Sequence, residues 1–378
     1  MTDDARAAAP FILLTPGPLT TTPATRAAML HDYGSWDRDF QDISARVCAG
    51  LLALAGGEGT HATVPLQGSG TFAVEAMLTT FVPRDRRLLI CANGAYGERM
   101  VAQAMLMGLD YSVLRGPEDA PTDTGALAAA LARDPAISHV AAVYVETTSG
   151  IANPLDEIAG VTRRAGRRLL VDAIAAFGAL PFDAGRLGIE AMAGSANKCI
   201  EGVPGFGFVI AERRALADAR GRATSLSLDL AHQHAHLEAT GRWRYTPPTQ
   251  VVAAFDAALA QHAAEGGQPA RLARYAANCR VLVEGMRALG FRTFLDDAVQ
   301  APVIVTFFEP ADPAWSFNAF YAAMRARGFI IYPGKVTEAP TFRIGCIGAI
   351  DATVMRRVVD AAREALAAMG VTRAAPVP

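Results

Sequence analysis

Between about residue 55 and residue 215, short apolar runs alternate with amphipathic stretches along the chain. Arg87–Ala92, His139–Val145, Arg168–Ile174, Ala191–Ser195 and Phe206–Ala211 read as strands, each an apolar run closed by turn-forming residues. Residues 71–82, 97–108, 124–133 and 155–166 carry apolar side chains at helical spacing and read as the helices between them. This alternation predicts an α/β layer, a mostly parallel sheet covered by helices on both faces. Upstream, Phe11–Leu14 is a strand-like piece stopped by Thr15-Pro16-Gly17-Pro18, with helices expected to about residue 31 and over about Ile43–Leu54. Downstream, residues 212–250 are mixed and polar, and a long helical region over about 249–289 is interrupted near Gly266-Gly267. Beyond it, Pro302–Phe308, Gly328–Tyr332 and Thr341–Ile344 read as strands between helices, closing at a helix over 351–369. The pattern divides the chain into an N-terminal segment (1–20), a large domain (21–255) and a smaller C-terminal α/β domain (256–378).

Composition narrows the function classes. Of 378 residues 51% are hydrophobic and 19% charged, and the formal net charge is -2 with no basic block. Binding to nucleic acid or to a membrane surface therefore has no electrostatic support. No apolar stretch is long enough to span a bilayer, and Asp3 and Asp4 near the start do not fit a signal peptide. Cys48, Cys91, Cys199, Cys279 and Cys346 are scattered, which reads as reduced intracellular thiols rather than a disulfide or zinc framework. His232, His234 and His236 alternate, but on a helix only His232 and His236 share a face, with no carboxylate or cysteine in register, so no metal site is expected. A cytoplasmic globular enzyme or binding protein is the expectation.

Chemistry enters through an imbalance of cations. Of 35 Lys and Arg residues, only Lys198 and Lys335 are lysines. Arginine stays charged at any working pH, whereas a desolvated lysine amine loses its proton and becomes a nucleophile. Lys198 sits among small residues in Gly194-Ser195-Ala196-Asn197-Lys198-Cys199, directly after an apolar strand. Such sheets collect ligands beyond the carboxyl ends of their strands, and other candidates lie there too. Gly68-Ser69-Gly70-Thr71 opens a helix and forms an anion cup of backbone N–H groups suited to a single phosphate monoester, or an ordinary capped turn. Asp172 ends a buried strand and needs a partner, such as a protonated ring nitrogen of pyridoxal phosphate, unless it caps a turn. Tyr96 could stack on a flat ring or pack on its own domain, and Glu146-Thr147-Thr148 ends another strand with hydroxyls. Arg343 in an apolar strand needs an anion, either a substrate acid group or a structural carboxylate. Lys335, after the turn Pro333-Gly334, is the rival amine and reads as a surface or supporting residue.

These residues carry a resemblance. Leu13–Leu19, Leu66–Gly70, Asn93–Gly97, Glu146–Thr148, Val171–Ala173, Ser195–Cys199 and Phe342–Gly345 are similar to segments of the class V, fold-type I aminotransferases. The wording of Ser195–Cys199 with Gly202–Phe206, Ser225–Leu230 and Tyr332–Lys335 resembles the phosphonate transaminases within that family. The resemblance spans residue 11 to the last helix and implies a fold-type I architecture, a pyridoxal 5'-phosphate cofactor and a homodimer with sites at the interface. It implies that Lys198 forms the Schiff base, that Asp172 pairs with the pyridine nitrogen, and that Tyr96 stacks on the ring. Ser69, Gly70, Thr71 and Asn197, with Thr246 from the partner subunit, would hold the phosphate; Thr148 would touch the ring hydroxyl region; Arg343 would bind the substrate acid group. The implied reaction moves the amino group of 2-aminoethylphosphonate to pyruvate. Alanine– or serine–glyoxylate transamination is the nearer alternative, and a non-enzymatic binding protein for a phosphorylated ligand the farther one. The chain departs from the family pattern at Tyr144-Val145, where relatives often have a histidine, and at Ala175-Ala176, where they often have serines.

Overall fold

The computed structural model describes residues 11–336 and 339–376. Its centre is a seven-stranded sheet of β1 (His61–Gln67), β2 (Arg87–Ala92), β3 (Asp110–Arg115), β4 (Ile137–Val143), β5 (Arg168–Asp172), β6 (Ala191–Ser195) and β7 (Phe206–Glu212). Their spatial order is β1-β7-β6-β5-β4-β2-β3. From β6 to β3 every neighbouring pair is parallel, whereas β7 runs antiparallel to both β6 and β1. Two reversals cancel, so β1 points the same way as the parallel strands. Gly68, Asn93, Tyr144, Ala173 and Ala196 therefore leave the sheet at one edge, where the chemistry was expected.

Period-two alternation sends successive side chains of one strand into two cores. Leu169 and Val171 pack with Phe40 and Val47 of the helix Arg38–Leu54. Leu170, between them, packs with Ala73 and Met77 of the helix Gly70–Phe81 on the opposite face. Covered on both faces, such strands are apolar throughout, which is why their runs are conspicuous in the sequence.

Two strands escape that signal, and both are the outermost ones of the sheet. β1 contains Pro65, a residue that argues against a central strand, but an edge position tolerates its missing N–H. β3 is exposed at both ends and only half-buried between, so its sequence Asp110–Arg115 carries no continuous apolar run. The strand expected over His139–Val145 ends at Val143, and Val145–Glu146 turns into a short hairpin with Ile151–Ala152.

A second antiparallel sheet has the order β8 (Ile304–Phe308), β10 (Thr341–Gly345), β9 (Tyr332–Pro333). Its core joins Phe307, Phe342 and Ile344 to Phe320, Leu282 and Val358 from three helices. The expected strand Gly328–Tyr332 is split: Phe329–Ile330 pairs in parallel with Ile12–Leu13, and only Tyr332–Pro333 joins β10. Leu14 is consequently buried in this core, so the N-terminal piece belongs to the smaller layer. The helix Thr249–Glu265 runs through residue 255 unbroken and contributes Val252 and Phe255 to the core of the large sheet. The following helix, Gly267–Ala288, packs on the smaller layer.

Candidate active site

At the carboxyl edge of the large sheet lies a cavity of about 150 Å³ lined by Ser69, Gly70, Thr71, Tyr96, Asp172, Asn197 and Lys198. Seven sequence-predicted residues thus converge, from the ends of β1, β2, β5 and β6. The helix Gly70–Phe81 begins at the cavity, and the Ser69 hydroxyl makes no capping bond to it. The start of this helix, with the N–H groups of Gly70 and Thr71 ahead of its first internal bond, is thereby suited to an anion. Gly70 is required by close packing: a Cβ there would lie 2.4 Å from Ile174 Cδ1. Arg99 Nη1 donates to Thr71 Oγ1 at 3.2 Å and adds a positive charge beside the cup.

Asp172 is the last residue of β5 and is buried; its Oδ1 accepts the Ile174 N–H at 3.0 Å. Burial, with the nearby Glu146 charge, pushes its carboxyl up to about 6 despite that hydrogen bond and the attraction of Lys198 and Arg99. A carboxyl so placed gains by meeting a cation. Lys198 lies one strand over, half-buried, and its Nζ donates to Pro16 O. Burial holds its amine below the usual lysine value, opposed by Tyr96, Cys199 and Asp172. The turn Thr15–Pro18 closes over this amine. A Cβ on Gly17, at φ +126, would lie 2.8 Å from Lys198 Nζ, so only glycine fits there.

Glu146 carries no role in the sequence reading, yet it organises the neighbouring helix. Fully buried, it accepts from Tyr96 N at 3.0 Å, Gly97 N at 3.2 Å, Thr148 N at 3.0 Å and Thr148 Oγ1 at 2.6 Å. It therefore neutralises the N-terminus of the helix Ala95–Leu106 and fixes Tyr96. Thr148 is fully buried and does not line the cavity; its hydroxyl also accepts the Ala95 N–H at 2.8 Å. Burial pushes the Tyr96 hydroxyl up, but Lys198, Thr147, Lys335 and Arg99 together outweigh it and hold it below the usual value. Arg99 lies 4.6 Å and the Lys335 ammonium 4.3 Å from the Tyr96 ring centroid. Lys335 is thus not a plain surface residue: it stands behind Tyr96 without lining the cavity, in keeping with the supporting place expected of it.

Arg343, on β10, is buried and donates to Thr147 O at 2.8 Å and to Pro333 O at 3.0 Å. No carboxylate among the described residues lies within ion-pair distance of it. Thr246 is exposed and lines a separate cavity of about 470 Å³ with Gly68, Phe72 and Tyr245, so this chain does not bring it to Lys198. Tyr144, Val145, Ala175 and Ala176 lie outside the lining, packed beneath it beside Cys199.

Beneath Lys198 runs a buried ionic network that no motif announced. Arg271, 1% exposed, donates to Cys199 O and meets Glu201 at 3.4 Å and Glu265 at 2.8 Å. Arg274 meets Glu201 at 2.7 Å and donates to Gly348 O and Ile350 O at 2.6 and 2.8 Å. The lysine loop is thereby tied to the smaller layer that carries Arg343.

The chain matches the family model described as aminotransferase class-V over residues 51–318. It belongs to the class V aminotransferases. It is 56% identical over 360 residues to a 2-aminoethylphosphonate–pyruvate transaminase of Burkholderia ambifaria, covering 95% of this chain and 96% of that one. It is 54% identical over 360 residues to one of Pseudomonas putida, covering 95% and 98%. Among solved structures, an alanine–glyoxylate aminotransferase from Nostoc sp. superposes with a TM-score of 0.89 at 22% identity, covering 97% of this chain and 98% of that one. The expected fold-type I architecture is thereby borne out.

Class V enzymes work with pyridoxal 5'-phosphate, and the residues present fit that group. A lowered lysine amine, a carboxyl raised by burial and an uncapped phosphate cup share one cavity. Ser195 Oγ, buried at its wall, has no hydrogen-bond partner among the described residues, as a donor reserved for a ligand would. Among the described residues no group of three His, Cys, Asp or Glu is arranged for a metal ion, and no helix is long and apolar enough to cross a membrane.

Proposed function

We propose that this aminotransferase transfers the amino group of 2-aminoethylphosphonate to pyruvate, releasing phosphonoacetaldehyde and L-alanine. The observation that carries the cofactor assignment is Lys198 and Asp172 sharing one cavity with opposite displacements of their pKa values. The identity of 54 and 56% to transaminases named for these two substrates supports the donor and acceptor. Pyridoxal phosphate, when bound, supplies the carbonyl that takes up the amine and the ring that withdraws electrons from the substrate carbon. Ser69, Gly70, Thr71 and Asn197 would hold its phosphate, Asp172 would supply the counter-charge to the ring nitrogen and Tyr96 would cover the ring, while Thr148 would act from behind, through Glu146 and the Ala95 N–H. Lys198 Nζ would be the amine that holds the cofactor and the base that moves the proton at the substrate carbon within the site. Arg343 binds the acid group; its guanidinium has donors to spare beyond two backbone carbonyls.

A homodimer in the cytoplasm completes the reading. Thr246 is exposed beside the phosphate cup with Phe72 and Tyr245, 51 and 47% exposed, the composition of a face covered by a second subunit that lends its threonine. The test is the absorption spectrum of the holoprotein. A visible band that bleaches with 2-aminoethylphosphonate and returns with pyruvate is the expected outcome, and Lys198→Ala loses both band and turnover. Bleaching by alanine or serine but not by the phosphonate moves the enzyme to the glyoxylate branch. Near-normal turnover in Lys198→Ala rejects the scheme.

A further inference from the structure

Lys335 reaches the site by a defined route. Tyr332 pairs with Arg343 across the antiparallel β9–β10 ladder, and the Gly334 N–H donates to Thr341 O at 2.8 Å. The crossing is tight: a Cβ on Gly334 would lie 2.3 Å from Thr341 O. The next residue, Lys335, then carries its ammonium to 4.3 Å from the Tyr96 ring centroid. Tyr96 lines the Lys198 cavity and meets the Thr147 side chain, while Arg343 Nη1 donates to Thr147 O. Lys335, in the segment that joins β9 to β10, and Arg343, on β10, are therefore brought to Tyr96 by a single hairpin, one over its ring and the other through Thr147.

Among the described residues the two cations have no acid to serve. Among the described residues no carboxylate lies within ion-pair distance of either. The acids nearest the cavity are already committed: Glu146 to the helix Ala95–Leu106, and Asp172 to the cofactor side. Arg99 stands beside the phosphate cup, bonded to Thr71. A carboxylate substrate brings one negative charge, for which Arg343 suffices. A phosphonate, like a phosphate monoester, carries between one and two charges near neutral pH and offers three acceptor oxygens. A fork such as arginine's covers two oxygens, and a compact ammonium is suited to the third.

We propose that Lys335 is the second cation of the acid-binding subsite, engaging the phosphonate with Arg343 and favouring phosphonate over carboxylate amines. The proposal rests on the reaction proposed above. The holoenzyme Lys335→Met keeps the side-chain stem and removes the charge, and Lys335→Arg restores it. Each amino donor, 2-aminoethylphosphonate or L-alanine, is added alone and bleaching of the visible band is followed. Binding of the unreactive probes ethylphosphonate and propionate is measured by competition. In Lys335→Met the phosphonate half-reaction is expected to lose roughly 10- to 100-fold in kcat/KM, carried by KM. The loss with alanine should be smaller by tenfold or more. Ethylphosphonate should weaken where propionate does not, and Lys335→Arg should recover part of the loss. Equal losses for both donors, or none for either, overturn the proposal. Wild-type enzyme that bleaches with alanine and ignores the phosphonate is a separate result: it removes the proposed reaction before any variant is made.

Discussion

Asp172 offers a sharp test because one substitution should move two quantities in opposite directions. Asp172→Asn keeps the shape and the acceptor for the Ile174 N–H, which now lies at 3.0 Å, but removes the charge. In the cofactor-free protein the carboxyl is raised from 3.8 to about 6, chiefly by burial. At about 1.4 kcal/mol per pH unit that rise amounts to about 3 kcal/mol of destabilisation once the group ionises. Asparagine escapes it, less the cost of burying an amide at the cavity wall, leaving about 1–3 kcal/mol in favour of the variant. The sign follows from proton binding. Between pH 3.8 and about 6 the folded chain holds this proton more tightly than the unfolded one. The wild-type apoprotein therefore loses stability as pH rises through that window. The variant's advantage should be full at pH 7.5, shrink below pH 6 and vanish near pH 4, giving a melting temperature roughly 1–4 °C higher at pH 7.5.

With pyridoxal phosphate bound the order reverses, because the ring nitrogen then loses its counter-charge. Breaking a buried charge pair costs about 3–5 kcal/mol, so the Kd for the cofactor should rise by at least roughly 100-fold. Thermal unfolding of apo and holo forms across pH, with a spectral titration of the cofactor, reads both effects. An apo variant no more stable than wild type at pH 7.5, or an advantage independent of pH, would refute the argument from burial.

Three further outcomes follow from the surroundings of the cavity. Arg271→Met removes the fully buried guanidinium between Glu201 and Glu265 and should cost about 3–5 kcal/mol in denaturant unfolding; a loss below about 1 kcal/mol would contradict the network. Glu146→Ala leaves the Tyr96 and Gly97 N–H groups unpaired and should lower stability by about 2–3 kcal/mol, with cofactor Kd rising more than substrate KM. Gly70→Val drives a Cβ against Ile174, whose N–H holds Asp172, and should weaken cofactor binding at least tenfold; an unchanged spectral titration would clear Gly70 of that role.

What could be read from the sequence and what could not differ in a physical way. Strands covered on both faces are apolar throughout, so β2, β4, β5, β6 and β7 stand out, whereas edge strands lack that signature. Pro65 in β1 and the half-exposed run Asp110–Arg115 in β3 hid the two edges. The parallel pairing of Ile12–Leu13 with Phe329–Ile330 joins residues more than 300 apart. No local turn could announce it. Ser69, Asp172 and Lys198 are legible because each stands out locally, in a glycine-rich turn opening a helix or as a carboxylate or an amine at the end of a buried strand, whereas Asn197 comes only from the resemblance. Glu146 and Arg271 follow the ordinary behaviour of a helix cap and an ion pair, and Arg99 that of a hydrogen-bonding cation over a ring, so their importance lies in what they hold.

The use of lysine draws these threads together. With 35 basic residues and only two lysines, the chain assigns arginine to its surface ion pairs, its buried network and Arg343. Both lysines instead approach Tyr96: the charges of Lys198 and Lys335 act on its hydroxyl, and Lys335 sits over its ring. For Lys198 the reason is chemical, since only an amine that burial has brought toward neutrality forms a link to a carbonyl. Lys335 needs no such reactivity. A compact charge beside an arginine fork is what a tetrahedral anion requires and a planar one does not, so the placement of the second lysine bears on substrate shape rather than on bond making.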